Sequence, residues 1–218
     1  MDISKDYLPN HPEIVLYQSK KMFKLNSDTV NLGEFLEVYK EDTVLDIGTN
    51  QGVLLLYASF FKPAKLIGID FNKEALALAK RNLDENKVEN YELIHADIND
   101  YQGELVDVII CNPPFFKGVS KNDYLQKAKH EESLPLKNLI KAINNNLKQN
   151  GTVYILYQSS RFLEIAKELQ NYHIEPKEIK FIYDENKLNS HSVLIKAVRG
   201  QKAHLVIRKP IIIKRILK

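Results

Sequence analysis

Short apolar runs alternate with stretches of helical periodicity along most of this chain. Eight runs have the length and continuity of strands: residues 43–47, 65–70, 91–97, 105–111, 152–157, 177–183, 192–198 and 203–207. Apolar side chains recur at helical spacing in four intervening segments: residues 53–61, 74–86, 134–148 and 161–172. Because strand and helix alternate through the first half, the pattern predicts an α/β fold with a largely parallel sheet.

Residues 1–42 depart from this alternation. They combine a turn-like stretch at 7–12, a short strand at 14–17 and a helix with the capping residues Ser27 and Asp28 in front of it. The apolar positions that define this helix are Val30, Leu32, Phe35, Leu36 and Tyr39. We interpret residues 1–42 as a lid or substrate-side extension and residues 43–218 as the catalytic domain, with a basic carboxyl-terminal segment.

The loop at residues 48–52, Gly-Thr-Asn-Gln-Gly, joins the first of these strands to a helix. Glycines at such a junction let a ligand approach the backbone at the amino terminus of the helix. A dinucleotide-binding GxGxxG motif would need glycine at position 50, where this chain has Asn50, so that fingerprint is not met. Asparagine tolerates left-handed backbone angles, and we therefore expect the turn itself to be retained.

Two acidic residues follow neighbouring strands of the predicted sheet. Asp70 ends the strand at 65–70, and Asp97 comes just past the next one. An acid at the end of the second strand is placed to accept hydrogen bonds from a ribose diol. The alternative is that Asp70 only caps the helix that follows it.

The segment Asn112-Pro113-Pro114-Phe115 comes directly after the strand at 105–111. Two prolines cannot continue a strand, so the chain turns there and Asn112 lies at the carboxyl end, where open α/β sheets bind ligands. An amide oxygen, rigidly directed backbone carbonyls and an aromatic face suit a planar group that bears an NH₂. The alternative is a rigid turn with a phenylalanine in the core.

Composition narrows the class of protein. The single cysteine, Cys111, excludes an internal disulfide and a cysteine-based metal cluster, and we expect it to be a small buried residue. No signal peptide or membrane span is recognisable, which favours a cytoplasmic protein with no membrane partner. The sequence shows no cluster of metal ligands, so we expect no metal. We also expect a monomer.

The net charge of +3 is small, but the basic residues are clustered. Residues 196–218 contain eight lysines and arginines and no acid, and Lys20, Lys21 and Lys24 lie near the start. Solvated lysines would give either cluster alone. Two clusters that flank one candidate site favour a nucleic acid. In the polar stretch 116–133, His130 and Glu131 either contact substrate or are exposed charge.

Together, the segment from Asp46 to Gly52, Asp70, Asp97 and the Asn112-Pro113-Pro114-Phe115 motif resemble the class I S-adenosylmethionine-dependent methyltransferases. The resemblance covers residues 43 to about 158. In that class, Asn-Pro-Pro-aromatic marks enzymes that methylate amines, including adenine N6 and glutamine side chains. With the flanking stretches 23–28 and 129–131, the chain looks like the subfamily that methylates N6 of adenine 37 in a valine tRNA.

The resemblance implies a Rossmann-like, seven-stranded sheet that ends in an antiparallel hairpin. It implies that the loop at 48–52 holds the methionine part of S-adenosylmethionine, Asp70 the ribose and Asp97 the adenine amino group. The full cofactor set is Asp46, Gly48, Asn50, Gly52, Asp70, Phe71, Asp97, Ile98 and Asn112. The implied catalytic set is Asn112, Pro113, Pro114 and Phe115. The expected tRNA contacts are Lys20, Lys21, Lys24, Lys129, His130, Lys209, Lys214 and Arg215.

Two other functions stay open at this point. Glutamine methyltransferases share the Asn-Pro-Pro-aromatic motif, but they usually carry a helical amino-terminal domain, for which residues 1–42 are too short. A non-catalytic RNA-binding module on the same fold is disfavoured because Asp46, Asp70, Asp97 and Asn112 occur together. Cytosine C5 chemistry would need a cysteine nucleophile, and Cys111 lies within a strand.

Overall fold

A computed structural model describes residues 3–113 and 134–214 of the chain. Its strands are β1 (Ile3–Leu8), β2 (His11–Ser19), β3 (Thr43–Ile47), β4 (Lys65–Asp70), β5 (Tyr91–His95), β6 (Val106–Cys111), β7 (Leu147–Gln158), β8 (Ile174–Asp184), β9 (Ser192–Arg199), β10 (Val206–Ile207) and β11 (Ile211–Ile213). Its helices are α1 (Ser27–Gly33), α2 (Val53–Ser59), α3 (Lys73–Glu85), α4 (Leu136–Asn146) and α5 (Phe162–Gln170), with a 3₁₀ turn at Ser159–Arg161.

The central sheet has the strand order β5-β4-β3-β6-β7-β9-β8, with β10 and β11 along the outer edge of β8. Strands β3 to β7 run parallel, whereas β9 is antiparallel to both β7 and β8. The predicted α/β class and the antiparallel hairpin are confirmed. The predicted number of seven strands is too low, because β10 and β11 raise the count to nine.

The two extra strands belong to one chain segment that runs beside β8 in the same direction. The predicted strand at 203–207 is formed only at Val206–Ile207, and β11 was not predicted. Both strands are too short to show a clear alternation of apolar and polar residues. Because β11 pairs with the end of β8 at Ile182 to Asp184, it leads towards the same edge of the sheet as the ends of the parallel strands.

The first helix is shorter than its periodicity predicts, and its cap differs. Its N-cap is Asn26, whose side chain accepts a hydrogen bond from the Thr29 amide, so Ser27 and Asp28 are the first helical residues. The helix ends at Gly33, where a Cβ atom would lie 2.3 Å from the Tyr57 ring. The chain then leaves the helical path to bury Phe35 and Leu36, which are 7% and 4% exposed.

The amino-terminal strands β1 and β2 form an antiparallel hairpin that packs on α3. Asn82 of α3 and Asn86, the residue that caps its carboxyl end, each bond both backbone groups of one β2 residue. The Asn82 amide pairs with Tyr17 at 2.8 and 3.1 Å, and the Asn86 amide pairs with Val15 at 2.9 and 2.7 Å. A two-stranded hairpin is marginal by itself, and these amides act as a neighbouring strand would.

The parallel strands end level with one another. Ile47 of β3 pairs with Ile69 of β4 and with Cys111 of β6. The residues that follow these strands therefore meet at one edge of the sheet, which we call the carboxyl edge. Among the helices of the described residues, none is both long and apolar enough to cross a membrane.

Candidate active site

Three left-handed residues shape the loop at 48–52 on the carboxyl edge. Gly48, Asn50 and Gly52 have φ angles of 72°, 49° and 80°. The expectation that Asn50 keeps the turn is thus confirmed. The backbone amides of Gly48 and Thr49 both donate to the Ile69 carbonyl at 2.9 Å, which fixes the loop against β4. A Cβ atom on Gly48 would meet nothing within 4 Å, so the backbone is open to a ligand there.

The side chain of Asn50 makes a hydrogen bond that glycine at this position could not make. Its amide nitrogen donates to the Phe23 carbonyl at 2.8 Å, and Gln51 donates to the same oxygen at 2.6 Å. Gln51 also accepts a hydrogen bond from the Ser19 amide at 2.8 Å. The loop is therefore tied to the amino-terminal segment, a contact that a glycine could not make.

Several buried polar atoms in this loop and just before it have no hydrogen-bond partner among the described residues. Asp46 is 1% exposed, and neither of its carboxylate oxygens has a hydrogen-bond partner among the described residues. The same holds for the Thr49 hydroxyl and the Asn50 side-chain oxygen. Burial raises the pKa of Asp46 to about 7, the adjacent Thr49 hydroxyl offsets part of the rise, and the Asp70 carboxylate adds to it. Because buried polar atoms are normally paired, this cluster fits a ligand that brings donors, such as the ammonium group of S-adenosylmethionine.

Asp70 ends β4 and is held by backbone donors. It is 5% exposed, and its oxygens accept hydrogen bonds from Asn50 N at 2.8 Å and Asn72 N at 2.9 Å. Burial raises its pKa, and these hydrogen bonds offset part of the rise. The cap of α3 is Asn72, whose side chain accepts from Glu74 N and Ala75 N, so the alternative role of Asp70 as that cap is wrong.

The remaining cofactor candidates follow β4 and β5. Phe71 is 46% exposed, and its carbonyl accepts a hydrogen bond from His95 Nε2 at 2.9 Å. Asp97 is exposed, with one oxygen held by the backbone and side-chain nitrogens of Asn99 at 2.9 and 2.8 Å. Ile98 is buried. The fold therefore brings the ends of β3, β4 and β5, with their predicted cofactor residues, to one edge.

Asn112 follows β6, as the sequence predicts, and it is partly buried. Its side-chain nitrogen donates to the Thr29 hydroxyl at 3.1 Å. Pro113, the next residue in the chain, is buried. Cys111, the last residue of β6, is 1% exposed, and burial raises the pKa of its thiol well above the usual range. The expectation of a small buried residue at Cys111 is confirmed.

The first turn of α1 lies against Asn112, a contact that the sequence analysis did not predict. Thr29 contacts Asn112, and the adjacent Asp28 accepts from the Ser192 hydroxyl at 2.9 Å and lies 3.2 Å from His191 Nε2. Ser192 begins β9 and pairs with Gln158 at the end of β7, so this turn crosses the carboxyl edge. The partners are distant in sequence, and no local pattern indicates them.

The basic carboxyl-terminal cluster is more compensated than its sequence suggests. Acidic residues from other parts of the chain form ion pairs with three of its members: Glu37 with Lys196, Glu178 with Arg208 at 2.9 Å, and Glu185 with Lys214 at 3.9 Å. Arg199 donates to backbone carbonyls of Asn144 and Leu147. The stretch lacks acids in its own sequence, but neighbouring elements supply them.

Several predicted RNA contacts lie at or near the carboxyl edge. Lys20, Lys21 and Lys24 belong to the segment after β2 whose Phe23 carbonyl is bonded to the loop at 48–52. Lys209 and Lys214 are exposed, beside and after β11. Five candidate residues fall outside the described ranges: Pro114, Phe115, Lys129, His130 and Arg215. Within residues 3–113 and 134–214, no group of three or more metal-binding side chains occurs.

Known proteins resemble the chain over most of its length. Residues 39–207 match the family described as "Methyltransferase domain". The chain is 30% identical over 206 residues to the tRNA1(Val) (adenine(37)-N6)-methyltransferase of Dyadobacter fermentans, covering 91% of this chain and 85% of that protein. It is 27% identical to the enzyme of the same name from Shewanella sediminis, covering 77% and 72% of the two chains.

The fold also matches solved methyltransferase structures. One is M. jannaschii TYW2 in complex with AdoMet, with a TM-score of 0.61 at 16% identity, covering 90% of this chain and 84% of that one. The carboxyl edge presents an open glycine loop and buried polar atoms that have no hydrogen-bond partner among the described residues. The chain therefore belongs to the methyltransferase-domain family and is an S-adenosylmethionine-dependent methyltransferase.

Proposed function

We propose that the protein methylates the exocyclic N6 amine of an adenine in tRNA, at position 37 of a valine tRNA. The observation that carries this proposal is the placement of Asn112 at the end of β6, with its side-chain nitrogen bonded to Thr29. The side-chain oxygen is then the group left to receive a substrate N–H. The names of the relatives from Dyadobacter fermentans and Shewanella sediminis support adenine N6 and tRNA as target.

An amine target explains the residue types on the substrate side. The lone pair of adenine N6 is delocalised into the ring, which makes the nitrogen a poor nucleophile. The Asn112 side-chain oxygen and the Pro113 backbone carbonyl accept hydrogen bonds from its two N–H groups and draw the nitrogen towards tetrahedral geometry. Phe115, which lies outside the described residues, is proposed to stack on the base, a contact worth about 1–3 kcal/mol in comparable sites. Holding the amine in line with its methyl donor lowers the barrier further through proximity.

The cofactor residues occupy the neighbouring strand ends. S-adenosylmethionine, when bound, supplies the electrophilic methyl group. Asp46 and the loop at 48–52 hold its methionine part, since they contain the unpartnered acceptors and the open backbone. Asp70 and Phe71 take the ribose side, and Asp97 with Ile98 takes the adenine. Asn112 borders both partners because β6 lies directly beside β3 in the sheet.

Basic residues frame the same edge and suit a polyanion. The segment with Lys20, Lys21 and Lys24 runs beside the cofactor loop, and the segment with Lys209 and Lys214 leads to the carboxyl edge from the other side. Lys129, His130 and Arg215, outside the described residues, are proposed as further tRNA contacts. Residues 1–42 act as a substrate-side extension because the segment between β2 and α1, together with the first turn of α1, contacts the cofactor loop and Asn112.

Mass spectrometry of tRNA nucleosides tests the substrate directly. Unmodified valine tRNA is incubated with the protein and isotopically labelled S-adenosylmethionine, and labelled N6-methyladenosine is the expected product. A transcript with guanosine at position 37 is the matched control and should stay unlabelled. Label on another nucleoside, or in a protein glutamine but not in tRNA, would contradict the proposal, and the glutamine result would favour the N5-methyltransferase alternative.

A further inference from the structure

A chain of three side chains leads from the cap of α1 to the candidate catalytic amide. The Asn26 side-chain oxygen accepts hydrogen bonds from the Thr29 amide at 2.8 Å and the Thr29 hydroxyl at 3.0 Å. The Thr29 hydroxyl oxygen in turn lies 3.1 Å from the side-chain nitrogen of Asn112. The chain of hydrogen bonds ends at Asn112, which follows β6 on the carboxyl edge.

The polarity of this chain is fixed from its Asn26 end. A backbone N–H can only donate, so the Asn26 atom that caps α1 must be the oxygen. An amide oxygen cannot donate a hydrogen bond. The hydrogen bond between Thr29 and Asn26 therefore uses the single hydroxyl proton of Thr29. The Thr29 oxygen then faces Asn112 with a lone pair. Only the nitrogen end of the Asn112 amide can satisfy it, which turns the amide oxygen away from Thr29.

We propose that Thr29 is a positioning residue that sets the orientation of the Asn112 amide and thereby selects a hydrogen-bond donor, such as an amine, as the substrate group. The two ends of an amide have nearly the same shape, so packing alone does not choose between them. If the amide were flipped, its NH₂ would face the NH₂ of the substrate, and neither group would accept. This inference rests on the proposed function, in which Asn112 receives the target amine.

The neighbouring contacts hold Thr29 in place for this task. Asp28, the preceding residue, bonds the Ser192 hydroxyl at 2.9 Å and lies 3.2 Å from His191 Nε2, which joins the first turn of α1 to the start of β9. Asp28 and Thr29 are both partly buried. The turn is thus attached to two different strands of the sheet, and the hydroxyl keeps a fixed direction relative to β6.

The test compares single-turnover methylation of tRNA at saturating cofactor and RNA for two variants. Thr29→Val keeps the shape of the side chain but cannot accept a hydrogen bond, and we expect the rate to fall about three- to tenfold, the equivalent of one hydrogen bond. Thr29→Ser keeps the hydroxyl and should retain nearly the wild-type rate. Cofactor affinity, measured by calorimetry, should be unchanged in both. If Thr29→Val does not fold, Thr29→Ala takes its place.

A double-mutant comparison separates a role through Asn112 from a general structural one. In an Asn112→Ala background, Thr29→Val should cause no further loss of rate. An equal loss in both backgrounds, or a wild-type rate for Thr29→Val when Asn112→Ala is impaired, would overturn the role of Thr29 alone. A wild-type rate for Asn112→Ala would instead overturn the proposed function of Asn112 and, with it, this inference.

Discussion

The two halves of the carboxyl edge hold their functional side chains in different ways. On the proposed cofactor side, Asp70 accepts hydrogen bonds from two backbone amides, and the loop at 48–52 is bonded to the β4 backbone and to the Phe23 carbonyl. On the proposed amine side, the Asn112 amide donates to the side chain of Thr29, which is 83 positions away in the chain. Backbone groups therefore hold most of the cofactor side, whereas the Asn112 amide is bonded to a side chain of the docked helix α1.

This difference suggests how each half should respond to substitution. Damage on the cofactor side should be confined to the ligand that the altered residue binds, because Gly48 and Thr49 stay bonded to the Ile69 carbonyl through backbone groups alone. A hydrogen bond between two side chains disappears when either of them is replaced. We therefore expect the amine side to lose rate without losing cofactor affinity, and the cofactor side to show the reverse.

The largest effect is expected for Asn112→Ala, which affects the amine side alone. Methyl transfer should fall by about two orders of magnitude or more, the scale for losing one positioned polar group from a transition state. Single-turnover kinetics measure the rate, and calorimetry should show cofactor affinity close to that of the wild type. Asn189→Ala, at an exposed loop position, is the matched control. Transfer at the wild-type rate would rule out the proposed role.

Asp70→Ala should affect the cofactor side instead. A buried carboxylate that receives a ribose diol contributes about 1.5–3 kcal/mol, and its removal should weaken S-adenosylmethionine binding by the corresponding amount. Calorimetry measures this change, with the exposed Asp100→Ala as control. At saturating cofactor the rate should largely recover. An unchanged affinity would remove Asp70 from the cofactor site.

A pH series on Asp46 sharpens the comparison further. Its pKa is raised from 3.8 to about 7 in the folded protein, so between these values the folded state holds a proton that the unfolded state has released. Stability of the cofactor-free protein should therefore fall as pH rises through this window. Asp46→Asn lacks this loss, and its Tm advantage over the wild type should grow from near zero at the acid end to several degrees above the upper pKa.

Cofactor binding should show the opposite dependence on pH. The ionised form of Asp46 attracts the ammonium group, so wild-type affinity for S-adenosylmethionine should rise through the pKa of about 7. Asp46→Asn should flatten this rise. Calorimetry at several pH values gives the affinities, and thermal unfolding gives the Tm values. A Tm difference that does not vary with pH would exclude a raised pKa at Asp46.

The smallest effects are expected when a single cluster of basic residues is replaced. Replacing Lys209, Lys214 and Arg215 with glutamine should weaken tRNA binding and reduce its salt dependence, by about 0.7–0.9 in the slope for each phosphate that is no longer neutralised. Arg208→Gln is the control, because Glu178 holds Arg208 at 2.9 Å, whereas the exposed Lys214 lies 3.9 Å from Glu185. An unchanged slope would identify this cluster as ordinary solvated surface. The same replacement at Lys20, Lys21 and Lys24 would then be the decisive one.

Most of the fold could be predicted from the chain because it depends on local patterns. Apolar runs identified the strands β3, β4, β5 and β6, and the left-handed loop was recognisable from its two glycines and Asn50. Element ends were less predictable. The helix α1 stops at Gly33 although its periodicity continues, since burial of Phe35 and Leu36 in the core outweighs helical propensity.

The sequence by itself determined the α/β class, the cofactor loop and the position of Asn112 at a strand end, because periodicity and turn chemistry are properties of neighbouring residues. Only the tertiary structure decided which way the Asn112 amide faces, that Asn82 and Asn86 bond the amino-terminal hairpin, and that Glu37 and Glu178 pair with the basic carboxyl-terminal segment. These interactions join side chains that are far apart in the chain. Their partners are set by how the elements pack, which no local pattern encodes.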